Sequence, residues 1–129
     1  MRYLIDTYAL IEWYEHGSEE YKPYLQEMQA SGGYVTQLTL LELYYLVHSR
    51  FGMEKAEQVY EEVNDCFEAV GLDDELIKKT GEFKSYLLKS KKRMSYIDCV
   101  NYVAAKHLGV KLLTGDDDFK GMENVEFVK

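Results

Sequence analysis

"YIDCVNYVAAKHLGVKLLT" occupies residues 96 to 114 and carries two periodicities back to back. Ile97, Val100, Ala104 and Leu108 recur at helical spacing, and Gly109 stands where a helix closes with a left-handed residue. VKLLT at 110 to 114 follows at once as a short apolar run of strand type. A helix that hands directly to a buried strand is the repeating half of a parallel α/β fold, and the same unit recurs through the chain.

Reading outward, RYLI at 2 to 5 is a strand, followed by a helix from about Thr7 to Glu15 and another from Glu19 to Ala30. Gly32 and Gly33 break the chain before a second strand, YVT at 34 to 36. The pattern predicts a helix from about Thr39 to Phe51, with Leu41, Tyr44, Tyr45 and His48 on one face and Gly52 at its end. Residues 53 to 66 form a helix, EAVGL at 68 to 72 a third strand, 74 to 90 a helix after Asp73, and VEFV at 125 to 128 a last strand. Strands separated by helices need right-handed crossovers. The expected architecture is a three-layer α/β/α sandwich with a parallel sheet, with 3-2-1-4-5 as the strand order weighed.

With 129 residues, a lone proline at Pro23 and no Ser/Gly-rich run, the chain reads as one domain over 1–129. No leader or long apolar stretch is present, so a cytoplasmic protein with no membrane role is expected. Cys66 and Cys99 lie outside any CxxC spacing and read as buried free thiols. His16, His48 and His107 lack HExxH spacing and read as surface or packing residues. A net charge of -8 excludes gripping nucleic acid by bulk electrostatics, so any such role must be local and cation-assisted.

In this fold each strand's carboxyl end and the next helix's start share one rim. Asp6 ends the first strand, Glu42 falls in the first turn after strand two, Asp98 in the first turn of the helix before strand four, and Asp116 just past Thr114. If the order is 3-2-1-4-5, Asp6 and Asp116 flank the point where it reverses, the usual ligand site of doubly wound sheets. Each acid also has a local reading. Thr39-x-x-Glu42 and Ser95-x-x-Asp98 are capping boxes in form, Asp6 before Thr7 suits an N-cap, and Asp116 to Asp118 suit an acidic turn. Convergence favours the site, because crowded carboxylates without a cation raise one another's pKa. Oxygen donors with no cysteine or histidine nearby select Mg²⁺ or Mn²⁺, whose chemistry is phosphodiester hydrolysis.

"YLIDTYALIEW" at the start, "TLLELYYLV" in the middle and "SYIDCVNYVAAKHLGVKLLTGDDDF" near the end together resemble the PIN domain family of metal-dependent ribonucleases. The chain's small size is similar to VapC-type toxins of toxin–antitoxin pairs. The resemblance implies that Asp6, Asp98 and Asp116 are metal ligands, with Glu42 as ligand or water-orienting base and Asp118 as a further ligand or a cap for the next turn. It also implies supporting roles for Thr7 and Thr114, RNA as substrate, a small antitoxin that places a basic side chain in the acidic pocket, and a homodimer. Asn101 and Tyr102 depart from the small or aliphatic residues of many relatives. Asn101 lies one turn from Asp98, where it would touch a metal-bound water or RNA, or else serve packing.

KSKKR at 89 to 93 leads toward this rim, and Lys91, Lys92 and Arg93 fit either a solvated loop or an RNA backbone track. Tyr8, Trp13, Tyr44 and Tyr45 are expected in packing or at a dimer face rather than in base stacking. Three other functions are weighed: an RNA-processing nuclease with no antitoxin, a non-catalytic binding module, and a phosphoacceptor signalling domain. The last would need paired acids after strand one and a Lys after strand five, and Asp6 stands alone.

Overall fold

Strand β1 (Tyr3–Ile5) is buried on both faces, which explains its unbroken apolar run. Tyr3 and Ile5 join one core and Leu4 joins the other, as the two-residue strand period requires. The computed structural model describes residues 1–129. After β1 come α1 (Thr7–Tyr14), a 3-10 turn (Glu19–Tyr21), α2 (Lys22–Ser31), β2 (Tyr34–Thr36), α3 (Gln37–Phe51) and α4 (Met53–Cys66). The chain continues through β3 (Glu68–Val70), α5 (Asp74–Lys89), α6 (Tyr96–Leu108), β4 (Lys111–Thr114), a 3-10 turn (Asp117–Phe119) and β5 (Val125–Phe127).

All five strands pair in parallel in the order β3-β2-β1-β4-β5, as expected. In register, Ile5 stands opposite Leu113, so Asp6 and Thr114 leave adjacent strands side by side. Helices α1 to α4 cover one face of the sheet, contributing Leu10, Met28, Leu43 and Val63 to its core. Helices α5 and α6 cover the other through Leu76, Leu87, Val100 and Val103. No helix is long and apolar enough to cross a membrane.

Several local expectations shift. The helix expected over 19 to 30 divides, because Pro23 has no N–H to donate and fits only the first turn of α2. Helix α3 starts at Gln37, where the Thr36 hydroxyl accepts from the Thr39 N–H at 3.2 Å. Its buried face is Leu40, Leu43 and Val47, while Leu41, Tyr45 and His48 face solvent and Tyr44 is half-buried. Helix α6 is buried continuously from Cys99 to Ala105, wider than a single stripe, because it packs on the sheet, α5 and the start of α3 at once. Gly109 closes it in the left-handed region at φ 72°. Cys99 is buried as expected, but Cys66 is exposed because it ends α4 on the solvent side.

Candidate functional site

The rim of the sheet at β1 and β4 gathers the acids in stages. Asp6 caps α1, its Oδ1 accepting from the Ala9 N–H at 3.0 Å, while its Oδ2 accepts from the Thr114 hydroxyl. That same hydroxyl accepts from the Asp116 N–H at 3.0 Å. One buried threonine at the end of β4 thus fixes both acids. Asp116 in turn caps the following 3-10 turn by accepting from the Asp118 N–H at 2.9 Å. Gly115 must lack a side chain, since a Cβ there would overlap the Val128 carbonyl and the Tyr21 hydroxyl, which bond each other at 2.6 Å.

From the other side, Ser95 caps α6 and accepts from the Asp98 N–H at 3.1 Å. The reciprocal bond of a capping box is absent, so the Asp98 carboxylate is left to the cleft. Carboxylate oxygens of Asp98, Asp116 and Asp118 all lie within 4.8 Å of one another. Asp6 is outside that tightest group, its two oxygens accepting from Ala9 and Thr114, yet it lines the same cleft of about 320 Å³ with Glu42, Asp98 and Asp116.

Glu42 reaches the cleft from the second turn of α3, not the first. Helical side chains lean toward the N-terminus, which carries it back to the rim. Its capping-box reading fails, since Thr36 holds the cap and Thr39 is buried inside the helix. Asn101 is fully buried at the junction of α6 with the start of α3. Its Oδ1 accepts from the Thr36 hydroxyl and its Nδ2 donates to the Thr39 hydroxyl at 2.9 Å. Asn101 therefore pins α6 to the start of α3 and sets the spacing of Asp98 and Glu42; buried in this way, it reaches neither RNA nor a metal-bound water. Thr7 is buried at the cleft wall with a hydroxyl that has no partner in the protein.

The electrostatics record the crowding. Burial pushes the Asp6 carboxyl up to about 7, and the Asp98 and Asp116 charges add to it against the bonds from Thr114 and Ala9. Asp98 is pushed up to about 6, first by burial and then by the Asp116 charge. Asp117 points away and pairs with Lys129 at 3.0 Å. Of the basic run, Lys92 donates to the Asp118 carbonyl at 2.9 Å, while Lys91 and Arg93 are exposed beside it. The sequence reading overlooked Glu12 and Arg50, which also line the cleft. Helical spacing from Glu42 through Leu46 was the signal that pointed to Arg50.

The sequence matches the PIN domain family over residues 3–125. The chain belongs to the PIN domain family. No curated protein matched its sequence. Similar solved structures include VapBC2 from Rickettsia felis bound to a promoter DNA fragment, with TM-score 0.84, 17% identity and 100% of both chains covered. DNA-bound VapBC from Salmonella typhimurium gives TM-score 0.84 at 18% identity over 98% of this PIN chain and 96% of the other. VapC20 of Mycobacterium tuberculosis, a toxin that cleaves the sarcin–ricin loop, gives 0.74 at 15% identity over 98% and 99%. At these identities the PIN fold is what is shared.

Proposed function

We propose that this PIN domain is a Mg²⁺- or Mn²⁺-dependent endoribonuclease and the toxin of a toxin–antitoxin pair. The observation that carries the proposal is the meeting of Asp98, Asp116 and Asp118 within 4.8 Å beside buried Asp6. The donors fit a hard divalent cation: they are all oxygen, and the unpartnered Thr7 hydroxyl suits a bound water. Asp6, Asp98 and Asp116 would hold the ion, with Glu42 and Asp118 as further donors. Once bound, such an ion polarises a phosphate and makes water a better nucleophile.

The chain's own groups do the rest. Thr114 keeps Asp6 and Asp116 at one spacing, and Asn101 keeps Asp98 and Glu42 at another. Glu42, on the α3 wall, takes the proton of the attacking water. Lys91, Lys92 and Arg93 hold the RNA backbone beside the Asp118 loop, with Lys92 already on that loop's carbonyl.

The VapBC neighbours support an antitoxin partner, and the acidic cleft suits a basic antitoxin side chain that would occupy the cation's place. Two exposed apolar surfaces suit protein partners, one an antitoxin and one a second copy of the chain. The first runs along Leu41, Tyr45, Phe51 and Met53; the second is a groove at Leu72, Ile77 and Tyr96.

The test is cleavage of RNA with added Mg²⁺ or Mn²⁺, comparing wild type, Asp116→Asn and an EDTA control. Metal-dependent cleavage lost in the variant is expected. Cleavage that persists in EDTA, or in the variant, would sink the mechanism.

A further inference from the structure

The acidic cleft does not end at the acids. Glu42, Leu46 and Arg50 line it from successive turns of α3. At 1.5 Å per residue, Arg50 stands about 12 Å along the helix from Glu42. Five carboxylates line the cleft, those of Asp6, Glu12, Glu42, Asp98 and Asp116, and Arg50 is its one cation.

A long cationic side chain beside so many acids should fold back onto them. Glu15 of the α1 C-terminal end prevents this. Arg50 Nη1 donates to both Oε1 and Oε2 of Glu15 at 2.7 Å each. Glu15 is the more enclosed partner, its side chain 14% exposed against 47% for Arg50. A guanidinium carries five N–H groups, and the Glu15 contact involves Nη1 alone. The donors on Nε and Nη2 have no protein partner, so an anchored, half-exposed fork borders the cleft.

We propose that Arg50, positioned by Glu15, binds a backbone phosphate of the RNA strand beyond the scissile one, so that the α1–α3 cleft is the track for the flanking nucleotides. The inference rests on the nuclease reading of the cleft. Arginine suits the task because its planar fork takes a phosphate through two parallel bonds that a lysine cannot make. Glu15 sets the fork's direction and keeps the guanidinium off the metal-binding acids before RNA arrives. Arg50 also ends α3 and ties it to α1, a purely structural role that the test must separate.

Binding of a single-stranded RNA oligonucleotide is measured by fluorescence anisotropy across salt in a cleavage-dead Asp116→Asn background, with thermal stability in parallel. Arg50→Gln weakens binding about tenfold and lowers the salt slope by about 0.7, the value for one lost phosphate contact on a single strand. The charge swap Glu15→Arg with Arg50→Glu restores the ion pair and recovers stability but not RNA affinity. Arg50→Lys, which keeps the pair and the fold, still weakens binding. A swap that restores both stability and affinity, or Arg50→Lys and Arg50→Gln variants that bind as the parent does, overturns the proposal while wild-type cleavage leaves the nuclease reading standing. A wild type that neither binds nor cleaves RNA with metal ends both.

Discussion

Asn in place of Asp6 should stabilise the metal-free protein at neutral and alkaline pH. Asp6 is 2% exposed, and burial pushes its carboxyl from 3.8 to about 7. A folded-state pKa above the unfolded one gives stability that is complete below the unfolded value and lost as pH rises through the folded value. Without metal, the protein therefore weakens between about pH 4 and pH 7. A difference of roughly three units at about 1.36 kcal/mol each amounts to on the order of 4 kcal/mol. Asp98, raised to about 6 but partly open to solvent, adds a smaller loss in the same window because water screens it. Asn keeps an oxygen for the Ala9 N–H, but the Thr114 hydroxyl loses a charged acceptor, a cost of about 1 kcal/mol. Asp6→Asn should then exceed wild type by about 3 kcal/mol at pH 8 in EDTA and match or trail it at pH 4. Urea denaturation at both pH values checks this. Added Mg²⁺ should stabilise wild type and not the variant, since only the carboxylate set binds it. Wild-type stability that stays flat from pH 4 to pH 8, or a variant weaker than wild type at pH 8 without metal, would refute the reasoning.

Three further outcomes are expected. Asn101→Ala leaves the Thr36 and Thr39 hydroxyls without their shared partner, so urea stability falls by about 1–3 kcal/mol and Mg²⁺ affinity by calorimetry falls with it. Gly115→Ala forces the Val128 carbonyl and Tyr21 hydroxyl aside, lowering stability by about 1–3 kcal/mol and cutting cleavage as the Asp116 loop shifts. Replacing Lys91, Lys92 and Arg93 together by alanine should weaken RNA binding and flatten its salt dependence, and unchanged binding would leave that loop as merely solvated.

Much of the fold was legible because its signals are local. The helix-to-strand handover at Gly109 and the separation of every strand by helices left a parallel sheet as the natural solution, while the order 3-2-1-4-5 came with the PIN resemblance rather than from those signals. Asp6, Asp98 and Asp116 were legible for the same reason, each standing at the junction of an element with its neighbour. Helix α3 carries Leu41, Tyr44, Tyr45 and His48 at helical spacing, yet the stripe it buries is Leu40, Leu43 and Val47. Both sets share the helical period, and the start of the helix depended on the Thr36 cap.

Periodicity and strand ends therefore determined, from the sequence alone, an α/β sandwich with acids along one rim. Which of those acids approach within bonding reach, and what stands behind them, was decided by packing. Thr114 joins Asp6 to Asp116 only because β1 and β4 are neighbours in register, 108 residues apart in the chain. The role of Asn101 stays open between site and packing until α6 is laid against the start of α3, where its amide links α6 to Thr36 and Thr39. Arg50 enters the cleft only because α1 and α3 pack side by side and Glu15 holds its side chain there. A sequence records the spacing of residues along each element, whereas distances between elements arise from how their buried faces fit.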